Sequence, residues 1–391
     1  MILARAVVFL TTVFLAVAIS ETGFCQGSDV APSDGALVVA QAPPYRGHRV
    51  LTEKVNENTV TIVSGNPNGT LLYLAYDLSA VLDKEGDLRV LPIVGKGAYQ
   101  NVVDVLHLKG VDLGITQSNI IRHLVRTGEL GGGIERRLAY ITVLYTSEMH
   151  VLAGKGIEKL SDLNGKKVNF SDVGSGTQFA TRQIFGLLGI NAREVNMGQS
   201  SAYLKVKSGE LAATVITAGK PVGFLTKLKA LDSDIKLLPV PYTKELESDF
   251  LPARLSHADY PQLLAANTTL ETVGFGMILF TYNWPRNTER YHRVEKLVNA
   301  MFSNFQQFRK PPRHPKWRQT NLAAELPGLT RFPAAEEWLK KAKTEADAAR
   351  ARGIDPVLAR AHAGLAIPND PVKQEALFRR FLEWESQRQE E

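Results

Sequence analysis

Two glycine-containing loops carry the residue types that capture an anion. The first, Gly65–Thr70, joins a β-rich run to an apolar helical pattern, and the second, Ser171–Thr177, occupies the same place in a later strand–helix pair. Small residues let ligand oxygens approach backbone N–H groups, and a helix start adds unpaired donors at the positive end of its dipole. Each loop alone could be ordinary helix capping. Because there is one in each half of the chain, we expect both to face one cleft and bind a carboxylate or phosphate.

Signatures of catalysis and metal binding are absent from the sequence. Gly95-Lys96-Gly97 and Gly274-Phe275-Gly276 lack the third glycine of a dinucleotide site, and no P-loop or nucleophile elbow occurs. The eight histidines show no metal-ligand spacing. His150, near Glu148, is the strongest candidate among the histidines for contact with a ligand. A lone histidine that enters a strand is, however, more often a hydrogen-bonded core residue. We therefore expect no enzyme activity, no cofactor and no metal.

The first 20 residues have the pattern of a secretory signal peptide. Arg5 precedes an apolar run from Ala6 to Ile19 that ends in small residues. This run is shorter than the ~20 residues that span a bilayer, so we expect cleavage and export to the periplasm. Cys25 follows Phe24 rather than a small residue, which disfavours a lipid anchor. Residues 21–55 show little periodicity and are interpreted as a linker.

The elements that must position the two loops alternate between strands and helices. Strands are predicted at Thr59–Ser64, Arg89–Val94, Val111–Thr116 and Ala139–Tyr145, and a second α/β unit is predicted from Val151 to Pro239. This alternation predicts a parallel sheet with helices on both faces and a ligand cleft between two lobes.

A strand is predicted at Thr272–Thr281, and helices are predicted in the chain that follows it. These helices are expected at Thr288–Phe308, Ala334–Arg352 and Pro371–Gln389. An apolar stripe follows one face of the last helix, and it either docks on the body of the protein or binds a partner. The stripe comprises Leu377, Phe378, Phe381, Leu382 and Trp384.

The charge of the chain is positive but evenly spread. Lys and Arg number 46 and Asp and Glu number 40, for a net charge of +6. The basic residues are mixed with acidic ones, and the signal peptide directs the chain away from DNA, so we expect no nucleic-acid partner. Four cations are candidates to neutralise a carboxylate: Lys96, Arg122, Arg182 and Lys220.

Several short motifs, in order from about Val60 to about Lys343, resemble the TAXI-type solute receptors of TRAP transporters. They are Gly69-Thr70 with Tyr73, Gly97–Asn101, Asp112–Gln117, Leu160–Val168, Gly174-Ser175-Gly176-Thr177 and Ala218–Pro221. The first loop reads Gly-Asn-Pro-Asn-Gly where the family commonly has Gly-Gly-Thr-Gly-Gly, so the identity of the solute does not carry over.

The resemblance implies an α/β, two-lobed periplasmic binding protein of the type II kind with hinge strands, plus a C-terminal helical extension. Its parts would be residues 1–20 (signal), 21–55 (linker), 56–145 with 239–330 (lobe I), 146–238 (lobe II) and 331–391 (C-terminal helices). The expected ligand-binding residues are Gly65, Asn68, Gly69, Thr70, Tyr73, Gln117, Gly174, Ser175, Gly176, Thr177 and Lys220.

The function implied is that of a Venus flytrap receptor. A monomer would capture a small organic anion, a carboxylate or an acidic amino acid, and deliver it to a TRAP-type membrane permease. The alternatives are a sensor or scaffold that acts through protein contacts, and, less favoured, an exported enzyme on the same fold.

Overall fold

The structure is a computed structural model that describes residues 46–67, 69–83, 87–228, 235–351, 374 and 376–380. Contacts divide the chain into Met1–His48 and Arg49–Glu391, and the fold described below is that of the second unit. The predicted signal peptide, Cys25, Asn68 and most of the predicted C-terminal helix lie outside the described residues.

Strands and helices alternate along the described chain. The strands are β1 (Thr59–Val63), β2 (Arg89–Ile93), β3 (Leu113–Gln117), β4 (Leu138–Ala153), β5 (Lys167–Asn169), β6 (Arg193–Val195), β7 (Ala213–Ala218), β8 (Lys236–Leu238), β9 (Leu251–Ser256) and β10 (Thr269–Tyr282). The helices are α1 (Arg46–Glu57), α2 (Thr70–Leu82), α3 (Ala98–His107), α4 (Ser118–Thr127), α5 (Ile134–Arg137), α6 (Gly176–Leu187), α7 (Gln199–Lys207), α8 (Gly223–Thr226), α9 (Glu289–Ser303), α10 (Phe305–Phe308) and α11 (Pro333–Ala351).

The strand order divides the protein into two lobes joined by two long strands. The order is β2-β1-β3-β10-β4-β7-β5-β6, with β8 on β4 and β9 on β10. Strands β1–β3 with α2–α4 form lobe I, and β5–β7 with α6–α8 form lobe II. Strands β4 and β10 are antiparallel and run through both lobes. This is the two-lobed α/β fold of type II periplasmic binding proteins, as expected.

Strand β4 is one strand of 16 residues, where two separate strands were predicted. It pairs with β10 from Leu138 to Glu148 and with β7 from Glu148 to Ala153, so Glu148 marks the passage from one lobe to the other. Residues Thr146–His150, four of them polar, lie between the predicted strand Ala139–Tyr145 and the second predicted unit, which starts at Val151. Their side chains are nevertheless mostly buried, because partners from other segments satisfy them.

The sheet is mixed, and the prediction of a parallel sheet was wrong in this respect. Strands β1, β2 and β3 are parallel to one another, as are β5, β6 and β7. Strand β10 runs antiparallel to β3 and β4, and β4 runs antiparallel to β7. The reversal arises because the two connecting strands must return between the lobes.

Element boundaries differ from prediction at four places. Helix α1 begins at Arg46, inside the segment interpreted as a linker. Helix α8, in the second predicted α/β unit, is a single turn of four residues, shorter than the helices expected of such a unit. The predicted helix Thr288–Phe308 is two helices, because Asn304 ends α9 and its side chain donates to the Ala300 carbonyl. Strand β9 was missed because it is an exposed edge strand that contains proline.

Three hydrophobic clusters form the core of the protein. The largest runs through both lobes along β4 and β10, and a second fills lobe I around Val102, Ile120 and Phe280. The third joins Leu152 and Ile216 to Leu255 and Tyr260. The segment 251–270, assigned from sequence to lobe I, therefore packs with lobe II.

The described C-terminal residues pack on the body of the protein. Phe378 is buried, in agreement with docking of the predicted apolar stripe; Phe381, Leu382 and Trp384 lie outside the described residues. Among the described helices, none combines the length and apolar character needed to cross a membrane.

Candidate functional site

A cavity of about 80 Å³ lies between the lobes, at the point where β4 and β10 cross from one to the other. Lobe I contributes Gly65, Asn66, Gly69, Thr70, Leu71, Lys96, Gly97 and Gln117, and lobe II contributes Ser171, Ser175, Gly176, Thr177, Thr217 and Ala218. The connecting strands contribute Tyr145, Ser147 and Met277. The volume is well below the ~300–1,000 Å³ of pockets for drug-sized molecules, so it suits a small ligand.

Four helices begin at this cavity, two of which were expected from the loops. Their N-cap residues are Gly69 (α2), Gly97 (α3), Gln117 (α4) and Ser175 (α6), and all four line the cavity. Three of these residues make no side-chain cap, while Ser175 Oγ accepts from the Gln178 N–H at 3.1 Å. Each helix has ten or more residues, so each directs the positive end of its dipole at the cavity.

Gln117 of lobe I lies directly against Gly176 of lobe II on the wall of the cavity. Gln117 is 3% exposed, and its Oε1 is buried with no hydrogen-bond partner among the described residues. A Cβ added at Gly176 would overlap Gln117 Nε2 and lie 2.9 Å from the Ala98 Cβ. Gly176 therefore lets helix α6 approach lobe I closely, and Gln117 Oε1 keeps an unused acceptor beside the cavity.

The connecting strands supply side chains that the sequence analysis missed. Tyr145 and Ser147 come from β4, and Thr217 comes from β7. Tyr145 is buried, and burial raises its pKa well above the usual range. Thr217 holds Thr177 in place: its N–H donates to Thr177 Oγ1 at 3.2 Å, and the two hydroxyl oxygens are 2.8 Å apart.

Contacts join the two lobes through the helices that begin at the cavity. Phe179 of α6 stacks on Tyr99 with ring centroids 5.5 Å apart and meets the edge of His123 at 4.9 Å. Next to these rings, Asn119 Nδ2 donates to Gln183 Oε1 at 2.9 Å. Helix α6 of lobe II thus rests on α3 and α4 of lobe I.

Of the four candidate cations, Lys96 alone lines the cavity, and the described residues show no ion pair for it. Arg182 forms an ion pair with Glu194 at 2.6 Å, and Arg122 donates to the Ser248 carbonyl at 3.0 Å. Lys220 pairs with Asp259 at 3.0 Å. These three cations serve structural contacts, and Lys220 is corrected as a ligand-binding candidate.

Two further candidates lie away from the cavity. Tyr73 is 54% exposed and stacks on His314. Gly174 accepts from the Gln100 N–H across the lobes at 3.4 Å and donates its own N–H to Gln178 Oε1. Tyr73 is therefore corrected as a ligand contact, and Gly174 shapes the loop. Asn68 is outside the described residues.

His150 is a buried core histidine rather than a ligand contact. Its Nδ1 faces the Ile216 carbonyl at 3.3 Å, and its Nε2 lies 2.8 Å from the Tyr260 hydroxyl. The Val222 N–H donates to the same hydroxyl at 2.9 Å. These partners assign the proton to Nδ1. Burial lowers the pKa of His150 to about 4.

Behind the cavity, a buried ion pair fixes the middle of β4. Lys316 Nζ lies 3.0 Å from Glu148 Oε1, and the two side chains are 2% and 4% exposed. The Lys220 N–H donates to Glu148 Oε2 at 2.8 Å, and the Lys316 ammonium lies 5.5 Å from the centre of the Tyr145 ring. Burial raises the pKa of Glu148 and lowers that of Lys316, while their attraction opposes both shifts.

Within the described residues, no cluster of three or more His, Cys, Asp and Glu could hold a metal.

Solved structures similar to this chain have low sequence identity to it. A periplasmic transporter is 13% identical with a TM-score of 0.43, and the match covers 74% of this chain and 94% of the transporter chain. The substrate-binding protein of an amino acid ABC transporter is 12% identical with a TM-score of 0.37, covering 64% and 97%. An amino acid ABC transporter substrate-binding protein from Streptococcus pneumoniae, bound to L-arginine, is 13% identical with a TM-score of 0.34, covering 64% and 92%.

The family comparison is made on the sequence. Residues 62–340 match the model of the NMT1-like family, a range that holds both lobes and every described residue lining the cavity. Since this match spans well over half of the 391 residues, the chain belongs to the NMT1-like family.

Proposed function

We propose that this protein is an exported solute-binding receptor that captures a small organic anion between its lobes and delivers it to a TRAP-type membrane permease. The observation that carries the proposal is the convergence of four helix N-termini, from both lobes, on one small cavity. Such termini bind anions through backbone N–H groups and a favourable dipole. The buried, unpartnered Gln117 points independently to a ligand.

Capture coupled to closure fits the way in which the cavity is built. Gly69 and Thr70 come from lobe I, and Gly176 and Thr177 come from lobe II, so a ligand that touches both loops bonds to both lobes. Its affinity for the closed form exceeds that for the open form, which shifts the population toward closure. A permease can then recognise the loaded receptor by its closed shape.

Two sequence features support the place of this receptor in transport. The motifs from Gly69-Thr70 to Ala218–Pro221 resemble TAXI-type receptors of TRAP transporters, and Met1–Ser20 has the pattern of a cleavable export signal. We therefore place the mature protein in the periplasm, as a monomer, with a TRAP permease as its partner.

A binding function also fits the chemistry of the cavity better than catalysis does. None of the described residues that line it is Asp, Glu, His or Cys. Its ionisable side chains are Lys96 and Tyr145, and burial of the Tyr145 phenol raises its pKa, which keeps it neutral. The described wall therefore lacks the carboxylate and imidazole groups that most often serve in general acid–base catalysis.

The test is a thermal-shift screen of the purified exported protein with dicarboxylates, oxo-acids, acidic amino acids and small phosphates. A ligand that binds only the folded state raises the melting temperature, by an amount that grows with its concentration over Kd. We expect at least one organic anion to do so. The absence of a shift with every compound would contradict the anion receptor and favour the scaffold alternative.

Variants locate the binding to the cavity. Gln117→Ala and Thr177→Ala should each reduce the shift, whereas Thr177→Ser keeps the hydroxyl that bonds Thr217 and should retain most of it. Tyr73→Ala is the control, because this exposed side chain lies outside the cavity. A loss of binding in the control equal to that in Gln117→Ala would place the site elsewhere.

A further inference from the structure

The charges around the cavity have one sign. Lys96 lines it, and four helix N-termini add partial positive charges of roughly +0.5 each. No Asp or Glu is among the described residues on the wall. A carboxylate is therefore stabilised here, whereas a second, cationic group on the same ligand meets no counter-charge.

The carboxylates near the cavity are directed elsewhere. Glu148 follows Ser147 on β4, and because strand side chains alternate between faces, it points away from the wall that Ser147 forms. Its two oxygens accept from Lys316 and from the Lys220 N–H. Asp172, in the loop before α6, is exposed and does not line the cavity.

The uncharged groups on the wall suit a hydroxyl or a carbonyl. The hydroxyls of Ser147 and Thr217 each donate and accept, and the Gln117 amide offers both roles. An oxo or hydroxy oxygen next to a carboxylate needs only one such partner. An ammonium group has three donors and a full charge, and its burial without a carboxylate is costly.

We propose that the ligand of this cavity is a small organic acid without an ammonium group, of the 2-oxo or 2-hydroxy acid class, and not an amino acid. This inference rests on the proposed function, since it defines the ligand of the same site. It separates two ligand classes that the two loops by themselves would both accept.

Matched triplets test it, because their members differ only at carbon 2. Titration calorimetry would compare pyruvate, lactate and alanine; oxaloacetate, malate and aspartate; and 2-oxoglutarate, 2-hydroxyglutarate and glutamate. In the triplet that binds, we expect the amino acid to be weaker than its oxo or hydroxy partner by at least about tenfold.

An isosteric variant tests the cause. Gln117→Glu places a carboxylate on the wall without changing the shape of the side chain. The ratio between the affinity for the oxo or hydroxy acid and the affinity for the amino acid should fall by about tenfold. Tyr73→Ala, at an exposed position outside the cavity, should leave the ranking unchanged. Should Gln117→Glu fail to fold, the wild-type triplets alone still decide the question.

The outcomes separate the two proposals. Weak binding of the amino acids and tight binding of the oxo or hydroxy acids support the inference. An amino acid that binds as tightly as its partners overturns it and leaves the anion receptor standing. A complete lack of binding in all three triplets, with another anion active in the wider screen, also overturns this ligand class, and a lack of binding throughout overturns both proposals.

Discussion

The ammonium of Lys316 lies 3.0 Å from the Glu148 carboxylate, at the residue where β4 passes from one lobe to the other. Both side chains are almost fully buried, and Lys316 donates as well to the Thr146 carbonyl and to Gln319 Oε1. Each charge depends on the other, because neither has water to solvate it. The pair joins the segment around Lys316 to the crossing strand and supports Tyr145 from behind.

Loss of one partner of this pair should be more damaging than loss of both. Lys316→Met leaves Glu148 buried without its counter-charge, and we expect the free energy of unfolding to fall by about 3–5 kcal/mol. The double variant Lys316→Met/Glu148→Gln removes both charges and keeps an acceptor for the Lys220 N–H, so it should recover most of that loss. Urea unfolding measures the free energy of unfolding of the single and the double variant. A double variant no more stable than Lys316→Met would contradict this dependence of one charge on the other.

Gly176 should control closure of the lobes. Gly176→Ala places a methyl group against Gln117 and Ala98, so we expect a folded protein whose ligand affinity falls by at least about tenfold. Gly186→Ala is the matched control, since it lies in the same helix with open space around its added Cβ. Calorimetry gives the affinity, and small-angle scattering with ligand reports compaction. Normal compaction of Gly176→Ala would contradict this role.

Lys96 and Lys220, both candidates from sequence, should behave differently when neutralised. Lys96→Met removes the one cation on the described wall, and we expect anion affinity to fall by about tenfold with little change in melting temperature. Lys220→Met breaks the pair with Asp259 and should lower the melting temperature while the affinity stays within about twofold. Titration and thermal unfolding of both variants test the contrast, and equal affinities for both variants would refute it.

His150 should make folding sensitive to acid. Its folded pKa of about 4 lies below the unfolded value of 6.5, so the unfolded chain binds the proton more readily between these pH values. Its contribution to stability is complete above about pH 6.5 and decreases as the pH falls, by about 3 kcal/mol at pH 4. Urea unfolding from pH 7 to 4 should show a shallower dependence in His150→Gln than in the wild type. Parallel pH curves would contradict the assignment.

The parts of the site that lie in local motifs could be predicted from the sequence. Gly176 and Thr177 belong to a strand–loop–helix segment whose small residues, hydroxyls and helix start stand together in the chain, and the structure places both at the cavity. Gly69 and Thr70 follow the same rule. Such residues are recognised because the chemistry and the element that positions it are adjacent in sequence.

The strand residues of the site could not be predicted, because sheet order brings them together. Tyr145, Ser147 and Thr217 read as ordinary strand positions until β4 lies beside β7. Lys220 shows the reverse: its motif suggested a ligand contact, but Asp259, 39 residues away, engages its side chain. Long-range pairings of this kind decide which polar residues face the cavity, and local spacing does not encode them.

The contacts between helix α6 and helices α3 and α4 also bear on how fast a ligand can exchange. Phe179 between Tyr99 and His123, together with the bond from Asn119 to Gln183, ties the two lobes together through helices that begin at the cavity. A bound molecule must wait for these contacts to part, so its residence time is set by the opening step rather than by its own bonds alone. Dialysis would then remove it slowly, and unfolding followed by refolding is the direct way to obtain the empty receptor.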